Sequence, residues 1–324
     1  MKELLQRLLS MPMIASELVL ASVFINILAL AGPLFVMQVL NRYVTQGVDA
    51  TLLTLVSGVL IAIILEFSLR QARLRLARGI SVEHDQQTAI DSFNTLSKAK
   101  ISALDQVAPE TRREMVNGVT YIETAYNANN ITTVLDVPFS LIFILVLYLL
   151  EPSISLIVTC FMIIIFSTGL VSSKSQKDKT AKIQETTGIG SALLGTVTRE
   201  SDTLRAFNAG DFLRESWEKH TLFIQRLRRD ITSGQGLVQT ITQSANSLLS
   251  VAVIGIGATL VVKGELDVGA MIGANILAAR ALQPISKFSQ LSTAFARARQ
   301  ALDTFANFKE LPLEDEKGSK IEAY

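Results

Sequence analysis

Leu18–Asn41 reads LVLASVFINILALAGPLFVMQVLN, 24 residues without a charged side chain. As a helix, at 1.5 Å per residue, it rises about 36 Å, enough to cross a hydrocarbon core of about 30 Å. Two more runs have the same character, Ser153–Ser173 and Ile231–Val262. A soluble core rarely holds several uncharged runs of this length. Between them lie Glu66–Asp136 and Lys174–Asp230, charged but still helical in pattern. The expectation is an all-α membrane protein with spans at 18–41, 50–70, 132–150, 153–173, 237–262 and 268–295. The long loops, 66–136 and 174–236, are expected to be helices that leave the bilayer and continue into water.

The composition fits: 49% of residues are hydrophobic, and mean hydropathy is +0.38. A net charge of +1 offers nothing to a nucleic acid. The only cysteine, Cys160, lies inside an apolar run, so no intrachain disulfide can form. His84 and His220 fall in different charged segments and read as solvated helix residues, not ligands.

Residues 1–13 form an amphipathic stretch, with Leu4, Leu5, Leu8 and Leu9 opposed to Lys2, Glu3, Gln6 and Arg7. Such a helix suits the lipid interface, with Pro12 as its end. Lys2 and Arg7 ahead of an apolar region, with Ala29-Leu30-Ala31 behind, resemble a signal peptide. The uncharged run continues past that point through Pro33 and Val39, too far for a signal sequence, and reads as an uncleaved span. Pro33 should bend it.

Orientation follows from basic residues. The three short loops hold only Arg42 and Lys263, whereas the two long segments hold nineteen lysines and arginines and seventeen acids. The long loops, and with them both termini, are expected in the cytoplasm. Gly79 is expected to break the helix that leaves span two, and the arginines near its boundary to snorkel to headgroups. A break near Ser102–Pro109 should precede a fresh helix at Pro109-Glu110.

No GxxxxGK(S/T) loop, HExxH, paired-cysteine set or GxSxG occurs. No catalytic, cofactor-binding or metal site is therefore expected, and this chain alone should not be an enzyme. The ionisable residues within or beside spans say more, because intramembrane charge is costly and faces a cavity or a partner. Glu66 and Asp136 border spans two and three, and Arg280 lies about 18 Å into span six. Arg280 either lines an aqueous path or pairs with an acid such as Glu66. Pro284 is a hinge or a tolerated kink. Gly255, Gly257, Gly269, Gly273, Ala278 and Ala279 allow close helix approach.

Three segments carry a family resemblance. They are Ala31-Gly32-Pro33-Leu34-Phe35-Val36-Met37-Gln38-Val39 with Asn41-Arg42, Leu135-Asp136-Val137-Pro138-Phe139 with Glu151-Pro152, and Gly269 to Pro284. In that order they resemble the membrane domain of ATP-binding-cassette exporters, and within these the type I secretion group. Asn41-Arg42 stands where an Asp-Arg pair is usual.

The resemblance implies a six-helix exporter domain over 14–310, working as a domain-swapped dimer, a homodimer in the simplest case. It implies secretion of unfolded polypeptides across a bacterial inner membrane by alternating access. The implied partners are an ATPase domain in cis or in trans that binds ATP and Mg, a periplasmic adaptor, an outer-membrane channel, the secreted polypeptide and membrane lipid. Residues 311–324 read as a linker toward that ATPase domain. With no peptidase-like segment read before span one, the simpler protease or adhesin exporters are the expected match, ahead of peptidase-bearing or haemolysin-type ones. Two short coupling helices are expected to touch the ATPase, one with Pro109, Glu110, Arg112 and Arg113, the other with Arg199, Glu200, Asp202 and Arg205. Glu66, Asp136, Arg280 and Pro284 are the candidates for the translocation path. Alternatives are an exporter of lipid or small molecules with the same fold, or a membrane scaffold that transports nothing.

Overall fold

The computed structural model describes residues 2–105, 107, 109–309 and 311–312, and no strand forms among them. In order, the helices are α1 (Lys2–Ser10), α2 (Pro12–Leu28), α3 (Ala31–Gln38), a π-helical turn (Val39–Tyr43), α4 (Val44–Gln46) and α5 (Asp49–Lys98). They continue with α6 (Ile101–Leu104), α7 (Pro109–Ala125), α8 (Ala128–Asp136), α9 (Ser140–Leu150) and α10 (Pro152–Arg199). The last are α11 (Ser201–Ala206), α12 (Gly210–Val262), α13 (Val268–Gln290) and α14 (Ser292–Lys309). Six helical stretches are long and apolar enough to cross a membrane: Pro12–Tyr43, Asp49–Lys98, Ala128–Leu150, Pro152–Thr180, Gly210–Val262 and Val268–Gln290. At 50 residues, α5 rises about 75 Å, more than twice a hydrocarbon core.

Proline chemistry explains the breaks. Pro33 has no N–H for the Ala29 carbonyl, and its ring crowds that carbonyl. The helical hydrogen bonding is accordingly interrupted at Ala29–Leu30, one turn before the proline, while both residues keep right-handed helical geometry. Pro138 likewise divides the third span between α8 and α9. Pro12 opens α2 in the first turn, where its missing donor costs nothing. Gly79 does not break α5, which runs on to Lys98. One helical glycine costs about 1 kcal/mol, too little to stop so long a helix. Gly47 turns the chain between the first two spans in the left-handed region (φ 67°).

The chain divides into two compact units. The first comprises Met1–Ser81, Tyr126–Lys174 and Gly234–Ser292. Its core is organised on α13, whose Ala270, Ala274, Leu277, Ala278, Ala281, Leu282 and Ile285 recur at helical spacing and are buried. Against them lie Met37, Phe143, Leu147, Ile154, Val158, Ile165, Ala245, Leu249 and Val253 from the neighbouring helices. Small residues set how closely the helices approach: a Cβ on Gly273 would sit 2.2 Å from the Met37 side chain, and one on Gly257 2.5 Å from Met271. The Asn41 Oδ1 accepts the Gly269 N–H at 3.0 Å, and its Nδ2 donates to Asp267 at 3.3 Å. Asp267 makes no cap bond of its own, so Asn41 caps α13 from another helix.

The outer apolar surface of this unit is extensive, including Leu53, Leu60, Ile64 and Phe67 on α5 and Leu149 and Leu156 at the α9–α10 hairpin. Such a surface requires lipid or an apolar partner. In α1 the polar residue turns inward. Arg7 is buried, its guanidinium 4.7 Å over the Tyr126 ring, with Glu3 at 3.2 Å, while Leu5 and Leu9 are 54% and 74% exposed.

The second unit comprises Val82–Ala125, Ser175–Ser233 and Thr293–Tyr324. Ile122, Ala298, Ala301 and Phe308 are buried in it. A buried hydrogen bond joins Thr293 Oγ1 to Gln176 Oε1 at 2.6 Å. Lys309 reaches Asp91 at 3.1 Å. Apart from Leu311 and Pro312, the expected linker 311–324 lies outside the described residues.

Candidate functional site

Within the first unit, residues of α2, α5, α8, α9 and α13 line a small, partly open cleft. Its lining is apolar at Ile25, Ala29, Phe143 and Pro284 and polar at Asn26, Thr133, Gln283, Asp136, Arg70, Arg280 and Lys287. On α13 the residues Arg280, Gln283, Pro284 and Lys287 fall at i, i+3, i+4 and i+7, a single stripe. The opposite face of the same helix is the buried one described above, so the packing that holds α13 in place also aims its polar stripe at the cleft.

The charges pair selectively. Arg73 is 3% exposed and grips Asp136 through both nitrogens, Nη1–Oδ1 at 2.5 Å and Nη2–Oδ2 at 3.1 Å. Its Nη1 also donates to Ser22 Oγ at 3.0 Å. Arg73 therefore does not snorkel to headgroups as its place near the boundary suggested. Arg70 is held by Glu66 at 2.5 Å. Arg280 and Lys287 have neither an ion pair nor a hydrogen bond among the described residues.

Of the four path candidates, Asp136, Arg280 and Pro284 come together at the cleft. Glu66 does not line it and pairs with Arg70, so the suggested Arg280–Glu66 pair does not form. Because Pro284 has no N–H, the Arg280 carbonyl lacks its helical donor four residues on. Sequence reasoning missed the roles of Arg73, Lys287 and Asn26. The first was detectable from depth matching with Asp136, and the second from its spacing of seven from Arg280.

The coupling candidates are arranged differently from expectation at the first loop. Pro109–Asn117 is not a separate short helix but the opening of the 17-residue α7. The short helix there is α6, directly after α5, because Lys100 leaves helical geometry (ψ 133°) and the chain restarts at Ile101. Arg112 is tied down locally, its Nε donating to the Val107 carbonyl at 2.9 Å with Asp105 at 3.7 Å. The side chains of Pro109, Glu110 and Arg113 lie outside the described residues. At the second loop, α11 is the expected short helix: Arg199, Glu200, Asp202 and Arg205 are all exposed, and Phe207 after it is 79% exposed. Asn208 closes this turn with a positive φ of 49°.

Six apolar spans and a charged cleft lined by five helices define a multi-pass membrane protein. The chain belongs to the ABC transporter transmembrane region family, whose pattern matches residues 16–285. It is 23% identical over 313 residues to the alpha-hemolysin translocation ATP-binding protein of Escherichia coli O157:H7, covering 94% of this chain and 43% of that protein. The leukotoxin translocation ATP-binding protein of Mannheimia haemolytica is 22% identical over 306 residues, 93% of this chain and 43% of the relative. The cyclolysin secretion/processing ATP-binding protein of Bordetella pertussis is 22% identical over 275 residues, 85% and 39%. The chain thus spans less than half the length of these relatives.

Proposed function

We propose that this chain is the membrane-spanning part of an ATP-driven exporter that secretes unfolded polypeptides across the bacterial inner membrane in a type I secretion system. The observation that carries the reading is the cleft. A membrane bundle leaves cations such as Arg280 without a counter-charge only where water or a passing ligand supplies compensation. The relatives, named for translocation of a hemolysin and a leukotoxin and for secretion of a cyclolysin, support a polypeptide as the cargo.

In this reading two copies assemble, a homodimer in the simplest case, and the bare apolar face of α5 meets lipid or the second copy. An ATPase domain, in cis or in trans, binds ATP and Mg and docks on α6, where Ile101 is exposed, and on α11, which offers a polar surface and the exposed Phe207 after it. The long helices α5, α10 and α12 carry its motion to the spans, giving alternating access with both termini cytoplasmic. A periplasmic adaptor and an outer-membrane channel complete the route. Asp136, with Arg73, shapes the path; Arg280 and Pro284 line it.

The test is ATP-dependent uptake of an unfolded reporter polypeptide by inverted membrane vesicles carrying the assembled transporter. Arg280→Ala is expected to lower uptake while the amount of folded protein in the membrane stays unchanged. Equal loss of both would make Arg280 structural. Uptake of lipid or small molecules in place of the polypeptide would transfer the fold to that class of exporter.

A further inference from the structure

We infer that the cleft selects acidic polypeptide segments, with Arg280 and Lys287 as a spaced pair of carboxylate sites; this rests on the polypeptide-export reading above. The charge balance of the cleft is the first argument. Of its lining charges, Arg70 is paired with Glu66 and Asp136 with Arg73, which leaves the half-buried Arg280 and the exposed Lys287 without an ion pair among the described residues. The deeper one lies beside Gly32, where an added Cβ would stand 3.8 Å from Arg280 Nη2, in ordinary van der Waals contact.

Spacing is the second argument. Seven residues along α13 separate the two cations by about 10 Å. An extended polypeptide advances about 3.3–3.6 Å per residue, so carboxylates three residues apart span the same distance. One extended chain running along the stripe can therefore present an acid to each cation, with Asn26, Thr133 and Gln283 beside it as hydrogen-bonding partners for its backbone.

Depth separates this ligand from an anionic lipid. Arg280 is twelve residues and Lys287 nineteen residues beyond Val268, about 18 Å and about 28 Å along the helix. In a core of about 30 Å, Lys287 is at the level of a headgroup phosphate, but Arg280 is well inside it. A lipid phosphate meets the first and not the second; an extended acidic chain meets both.

The experiment measures binding of fluorescent peptides to the full chain in nanodiscs of zwitterionic lipid. The probes are an unstructured Gly-Ser-Asp repeat, with Asp at every third position, and the matching Gly-Ser-Asn repeat. The Asp repeat is expected to bind about tenfold or more tightly than the Asn repeat, with strong salt dependence. Arg280→Gln and Lys287→Gln should each reduce that preference about tenfold, Arg280→Lys should retain most of it, and Arg42→Gln in the outer loop should leave it unchanged. Equal binding of both repeats would overturn anion selection and leave the polypeptide path standing. Binding of neither would overturn the path reading itself. Displacement of the Asp repeat by a small fraction of phosphatidylglycerol in the disc would overturn the peptide assignment in favour of a lipid phosphate.

Discussion

Asp136→Ala should be among the most damaging single changes available to this protein, because of what it leaves behind. Arg73 is 3% exposed, and without Asp136 its partner is Ser22 Oγ at 3.0 Å. Removing one member of a buried pair costs about 3–5 kcal/mol, mainly through the stranded charge. The Asp136 side chain is 23% exposed, so water can partly replace it, and the lower end, about 3 kcal/mol, is expected. Replacing both partners removes the stranded charge, so Arg73→Met combined with Asp136→Leu should recover most of the loss. The assay is a double-mutant cycle by denaturing-detergent titration of the purified chain, followed by far-ultraviolet circular dichroism. Glu215→Ala is the control, since Glu215 and Lys219 lie at 2.7 Å but are both exposed, and it should change nothing measurable. The reasoning fails if Asp136→Ala is no worse than Glu215→Ala, or if the double variant shows the full sum of the two single losses.

Gly273→Ala should destabilise by about 1–3 kcal/mol, because its Cβ would overlap Met37. Gly255→Ala, where nothing lies within 4 Å, should stabilise slightly through helix propensity, and thermal unfolding of the two variants compares them directly. Asn41→Ala removes the cap on α13 at a cost of about 1 kcal/mol, read as faster amide exchange confined to the first turn after Val268. Phe207→Ser should leave unfolding unchanged, since the ring is exposed, and should reduce ATP-driven export; a drop in stability with unchanged export would refute α11 as the docking element.

The six spans were legible in the sequence because the requirement is one-dimensional: an uncharged stretch of sufficient length cannot be stable as an exposed helix in water, and its place in a bilayer follows from length and hydropathy. The short turns at Gly47 and Glu151-Pro152 were legible for the same reason, being local chemistry. The interruptions were only half visible: Pro33 announced one, but a proline disrupts the carbonyl four residues earlier, so the hydrogen bonding lapses at Ala29–Leu30. Tertiary structure decided the rest. Asp136 could have faced any of several arginines, and it is the packing of α5 and α8 that gives it Arg73, while Arg70 pairs with Glu66 and Arg280 and Lys287 make no ion pair among the described residues. Composition determines that charges lie at the membrane boundary; which of them are left uncompensated depends on side chains far apart in sequence meeting at one depth, and only packing sets that.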